Sequence, residues 1–129
     1  MLNKLFQTVI LGQILFLELG AQCHYKLYMY DSYGDGWNGA YLEVTMNGSF
    51  VGNYECQGSF TLDSVYSTTG ATMDFIFHSG SWDSEITFTI VDPLNDTLFS
   101  GAAPSDLDNL VHTSTSSCAS PTGNCSGVG

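Results

Sequence analysis

From Asp31 the chain runs Asp-Ser-Tyr-Gly-Asp-Gly-Trp-Asn-Gly-Ala, with two carboxylates, a side-chain amide, two aromatics and three glycines in ten residues. Asp and Asn supply the hard oxygen donors that calcium takes, and glycine lets the backbone turn through positive φ to gather them. Against the calcium loop D-x-[DN]-x-[DN]-G-x5-E, Asp31 fits position 1, Asp35 position 5 and Gly36 the glycine at position 6. Tyr33 then stands where position 3 needs an acid or amide, and Leu42 where position 12 needs a bidentate glutamate. A helix-loop-helix calcium site is therefore excluded. An ion held here must draw its remaining ligands from elsewhere in the fold.

The second source is Ser79-Gly80-Ser81-Trp82-Asp83-Ser84-Glu85, a loop entering a strand. If the two loops meet, Asp31, Asp35 and Asn38 join Asp83 or Glu85 to approach the roughly six oxygens of a calcium shell, completed by carbonyls and water. Asp83 and Glu85 share strand parity, so one sheet face can present both. The competing reading is structural: Asp31 and Asp35 close Asx turns, and Glu85 caps a strand end. Tyr33, Trp37 and Trp82 pose a similar choice. They form an aromatic platform for a sugar ring, or they cover the end of a core, and packing is the commoner use of loop tryptophans.

Catalysis finds little support. His24, His78 and His112 fall in separate strand-like runs, and no serine elbow ties one of them to a nucleophile. Asp83 and Glu85 imitate a glycosidase pair, yet the chain is small for a substrate cleft. The expectation is a non-enzyme.

Positioning these groups falls to strands. Period-two alternation recurs every dozen residues or so, and no window past the first twenty residues holds a helical stripe, which predicts an all-β fold, a single antiparallel sandwich of jelly-roll or CUB-like type. Strands are expected at 24–31, with Tyr25, Leu27 and Met29 on one face, and at 41–46, with Leu42, Val44 and Met46 inward. Asn47-Gly48 then predicts a hairpin into 49–51, since both turn residues tolerate positive φ. Further strands are expected at 59–62, 72–78, 85–91 (Ile86, Phe88 and Ile90 inward), 97–99 and 109–113.

Around this core the sequence marks a leader and a tail. Residues 1–21 read as a secretory signal peptide cleaved after Ala21, with an apolar stretch over 5–19. Gln7, Gln13 and Glu18 interrupt that stretch and make it a poor membrane span. Residues 22–118 form the domain and 119–129 a Ser/Gly/Pro-rich tail, the composition having lost its apolar content from Ser114 onward. All four cysteines lie beyond the leader, and an even count in a short secreted chain predicts two disulfides. Cys23 and Cys118 bracket the strands, which favours that pair and leaves Cys56 with Cys125; a local Cys118 with Cys125 loop is the alternative. With no Cys-x2-Cys pair, a zinc site is not expected.

Lys4 and Lys26 stand against thirteen Asp and Glu, giving a formal net charge of −11. Nucleic acid and anionic membrane surfaces are repelled by such a chain, while hard cations are attracted. Most of these carboxylates serve solubility. Sequons at Asn47, Asn95 and Asn124 fall at turns or in the tail, where a glycosyltransferase can reach them.

The Asp31 motif after a Tyr-x-Leu-x-Met strand, followed some forty residues later by Gly-Ser-Trp-Asp-Ser-Glu-Ile, resembles the D-S-x-G-D-G-W-N-G modules of secreted and surface proteins, which are similar in outline to CUB-type β-sandwiches. The resemblance spans roughly residues 23–118. It implies an extracellular, calcium-associated accessory or adhesion module. The functional expectation is thus a secreted, calcium-stabilised, glycosylated structural subunit that assembles with itself or with other extracellular proteins, as in a fibre or surface matrix. The alternative is a carbohydrate-binding module using Tyr33, Trp37 and Trp82.

Overall fold

A computed structural model describes residues 21–105 and 108–118. Of the expected leader over 1–21 all but Ala21 lies outside the described residues, as do the tail over 119–129 and, within it, Cys125 and Asn124. Eight strands follow in order: β1 (Gln22–Asp31), β2 (Tyr41–Met46), β3 (Ser49–Tyr54), β4 (Phe60–Thr68), β5 (Thr72–His78), β6 (Ile86–Val91), β7 (Thr97–Ala102) and β8 (Asn109–Thr115). They build two antiparallel four-stranded sheets, ordered β4-β1-β6-β7 and β3-β2-β5-β8. No helix among the described residues is long and apolar enough to cross a membrane.

Alternation decides which faces meet. Tyr25, Leu27 and Met29 of β1 and Ile86, Phe88 and Ile90 of β6 face Leu42 and Val44 of β2 and Met73, Phe75 and Phe77 of β5 in one buried core. Burial of each such side chain contributes about 1.5 to 3 kcal/mol, so a one-residue slip of register would forfeit the whole set. Asn47 and Gly48 take φ of 52° and 80°, the two positive values that a type I′ hairpin needs between β2 and β3.

Several strands run further than the sequence reading expects: β1 begins at Gln22, and β3 continues to Tyr54, opposite Leu42 of β2. β4 continues to Thr68 because Val65 and Ser67 still face inward, and the buried Ser67 hydroxyl meets that of Ser116 at 2.8 Å. β7 continues through Ser100-Gly101-Ala102 because the pairing with β6 persists to Ala102 opposite Thr87. β8 likewise reaches Thr115, into a segment whose composition reads as tail.

The ends of the sandwich differ. Cys23 near the start of β1 is bonded to Cys118, so the expected clamp of first strand to last is present. Cys56 is a buried free thiol that donates to Met29 O and Gly58 O, both at 3.3 Å, and Cys125, its expected partner, lies outside the described residues. Met29 belongs to β1, so the thiol is turned toward that sheet. At the other end of β1, Asp31 pairs with Ile86, and the loops over 32–40, 55–59 and 79–85 converge there.

Candidate functional site

Backbone hydrogen bonds tie the three loops together. Asp31 N–H donates to Ser59 O, Ser32 N–H to Glu85 O, Trp37 N–H to Cys56 O and Ser81 N–H to Asn38 O, at 3.0 to 3.3 Å. Two glycines make this possible. A Cβ on Gly80 would stand 2.3 Å from Ala40 N, so only glycine lets the two acid-bearing loops touch. Gly36, at φ 92°, turns its N–H inward, and a Cβ there would meet Cys56 O at 2.9 Å.

Those turns wrap one carboxylate. Asp31 Oδ2 accepts the N–H groups of Gly34 (2.6 Å), Asp35 (2.9 Å) and Gly36 (3.2 Å). Its other oxygen, Oδ1, is buried with no hydrogen-bond partner, in a residue only 3% exposed. A buried polar group left unpaired costs about 1 to 3 kcal/mol, and more when charged. The Asx-turn reading therefore explains half of this side chain and leaves the other half short of a partner.

Oxygens of Asp31, Asp35 and Glu85 lie within 4.8 Å of one another, a group that can hold a metal ion. Asp31 is at the end of β1, Asp35 on the exposed loop, and Glu85 closes a short 3-10 turn, Asp83–Glu85, that delays the start of β6 to Ile86. Partial burial first, then the charges of Asp31 and Asp35, push the Glu85 carboxyl above its ordinary value. Like charges held this close repel unless a cation or a proton separates them.

Two expected ligands behave otherwise. Asp83 is not in the cluster: Ser79 Oγ donates to its Oδ2 and Gly80 N–H to its Oδ1 at 3.0 Å, so it closes its own loop. The 3-10 turn also breaks the strand parity that would have set Asp83 beside Glu85 on one sheet face. Asn38, at φ 49°, donates its amide to Asp35 Oδ2 at 3.2 Å and braces that carboxylate.

The aromatic trio divides as well. Trp37 is 1% exposed, packs against Phe77 and Phe88, and donates Nε1–H to Tyr30 O at 2.9 Å, so it is core and not platform. Tyr33 and Trp82 are 77% and 67% exposed. With Asp35 and Glu85 they line a cleft of about 320 Å³. Trp82 has φ 66°, rare for a bulky side chain and an outlier of the kind that concentrates at functional sites.

One cluster has no counterpart in the sequence reading. His78 Nδ1 lies 2.7 Å from Asp108 Oδ1 and Nε2 3.3 Å from Glu43 Oε1, with the ring stacked on Tyr41. Register alone, Tyr41 opposite His78, would have hinted at it. No protein-family model, curated protein or solved structure matches the chain, and the site is read from its own geometry.

Proposed function

We propose that the chain is a secreted, non-catalytic extracellular module, stabilised by calcium at its loop end, that serves binding and assembly. The observation that carries the reading is Asp31 Oδ1, a buried acceptor without a donor, beside two further carboxylates. A cation satisfies that oxygen and relieves the repulsion among Asp31, Asp35 and Glu85 together. The donors are all oxygen, which suits a hard ion. Calcium accepts irregular shells completed by water, whereas magnesium demands near-ideal octahedral geometry. Extracellular calcium modules work at Kd of about 10⁻⁴ to 10⁻³ M, in keeping with an exposed, three-carboxylate site. The Cys23 with Cys118 disulfide fits an oxidising compartment, and Asn47 and Asn95, exposed at turns, are open to glycosylation.

Calorimetric titration with calcium tests the reading. The wild type should bind one ion. Asp31→Asn should bind none and still fold, because its amide oxygen can accept the three loop N–H groups while its NH2 replaces the free acceptor. A wild type that takes up no calcium overturns the proposal.

Assembly has its own support. On the outer face of β1 and β4, Tyr30, Phe60, Leu62 and Tyr66 are exposed side by side, Tyr30 opposite Phe60 in register. β4 is an edge strand, and Lys26 lies on the interior strand β1, where it cannot guard that edge. Leu62→Lys should abolish any concentration-dependent increase in sedimentation coefficient. An unchanged profile would remove this face from the proposal.

A further inference from the structure

Asp35 and Glu85 belong to two arrangements at once. They complete the acidic cluster with Asp31, and together with Tyr33 and Trp82 they line the cleft. An ion held by the cluster therefore borders the cleft. Three carboxylate oxygens are fewer than the six to eight donors that calcium takes, so part of its shell must come from backbone, water or a bound molecule.

We infer that the Tyr33 and Trp82 cleft is a calcium-dependent subsite for a neutral sugar, whose hydroxyls complete the ion's shell while its apolar ring face lies on an exposed aromatic. The inference rests on the cation reading above and adds to it the chemical class of the ligand. Three features select that class. Tyr33 and Trp82 offer flat apolar surface with a polar tip, which suits a ring that is apolar on its face and polar at its rim. Hydroxyls both donate to the carboxylates of Asp35 and Glu85 and present lone pairs to a cation, a double role that few neutral groups fill. A net charge of −11 repels anionic ligands, and a cationic one would compete with the ion for the same two carboxylates. The cleft volume of about 320 Å³ falls at the small end of the range for ligand sites, which fits one ring and not an extended chain.

Retention of the full chain on polyacrylamide beads carrying glucose, galactose, mannose or N-acetylglucosamine tests this. In millimolar calcium the protein should be held by at least one sugar and released by a chelator. Trp82→Ala should pass straight through while keeping the calcium-dependent rise in melting temperature, because Trp82 touches the cleft and is not in the cluster. Passage of the wild type through all four beads, with that rise intact, overturns the sugar subsite and leaves the cation reading standing. Loss of the rise itself overturns both. Retention that is equal in chelator, or retention on lysine-bearing beads that calcium abolishes, replaces the inferred ligand with one that does not use the ion.

Discussion

β1 has one end in a clamp and the other in a cluster of carboxylates. Cys23 and Asp31 lie eight residues apart, about 26 Å along the strand, yet their surroundings follow opposite rules. Around Cys23 the polar groups are matched: Ser67 meets Ser116 at 2.8 Å, Tyr25 meets Ser114 at 2.9 Å, and the disulfide joins first strand to last. Around Asp31 a buried oxygen has no partner, like charges crowd, and a tryptophan holds a left-handed backbone conformation. One end lowers the energy of the fold. The other holds an unfavourable arrangement that a bound species would relieve.

The contrast can be broken most forcefully at the clamp. The disulfide closes a separation of 95 residues, worth about 4 to 5 kcal/mol in the loop-entropy model. Cys23→Ala with Cys118→Ala should lower the melting temperature by roughly 20 °C or more, whatever the calcium concentration. At the acidic end the effect should be smaller and conditional. Removing calcium from a hundredfold excess over Kd should cost about 2.7 kcal/mol, read as separated melts with and without chelator at matched ionic strength. Asp31→Asn should make those two melts coincide.

Ser67→Ala returns to the clamp and should cost about 1 kcal/mol by leaving the Ser116 hydroxyl without its partner, measurable as a shifted urea midpoint at unchanged m. The smallest and most telling change is Glu85→Gln. Because its carboxyl is raised in the fold, Glu85 favours the folded state below its ordinary value, and that contribution is lost as pH rises through the raised one. Without calcium the variant should therefore melt above the wild type at neutral pH, and the gap should close on acidification. With calcium the order should reverse, since the wild type alone keeps the full cluster. A variant less stable at neutral pH in both conditions would mean that Glu85 is not under strain.

Much of the sandwich body and of its clamp end was legible in the sequence because both obey local rules. Alternation placed Tyr25, Leu27, Met29, Ile86, Phe88 and Ile90, Asn47-Gly48 marked the hairpin, and bracketing cysteines marked the bridge. Strand ends were harder: Ser67 faces the core as a polar residue whose partner is 49 positions away, which no local pattern reveals. At the loop end, the motif named Asp31, Asp35 and Glu85 but could not rank them against Asp83, whose role depends on the 3-10 turn and on Ser79. Trp37 and Trp82 sit in similar Gly- and Asp-rich surroundings. Only the tertiary path separates them, by sending Trp37 beneath the loop onto Phe77 and Phe88 and turning Trp82 outward. The burial of Cys56 was also out of reach of the sequence, since an even cysteine count argues for pairing while the fold places this thiol under the loops, where burial pushes it up.

That thiol bears on the order of events during synthesis. Chains emerge from their N-terminal side, so Cys56 becomes available to Cys23 well before Cys118 does. A premature Cys23 with Cys56 bond would tie an interior strand of its sheet to the wrong segment. Pairing of β4 with β1 carries the 55–59 loop across the Asp31 end, where Cys56 donates to Met29 O, while Cys23 is left about 20 Å away at the far end of the same strand. Early hairpin-like docking of these two strands thus keeps the rival sulfurs apart until the last strand arrives. Trapping free thiols at intervals during oxidative refolding should show Cys56 protected first and the Cys23 bridge closing afterwards.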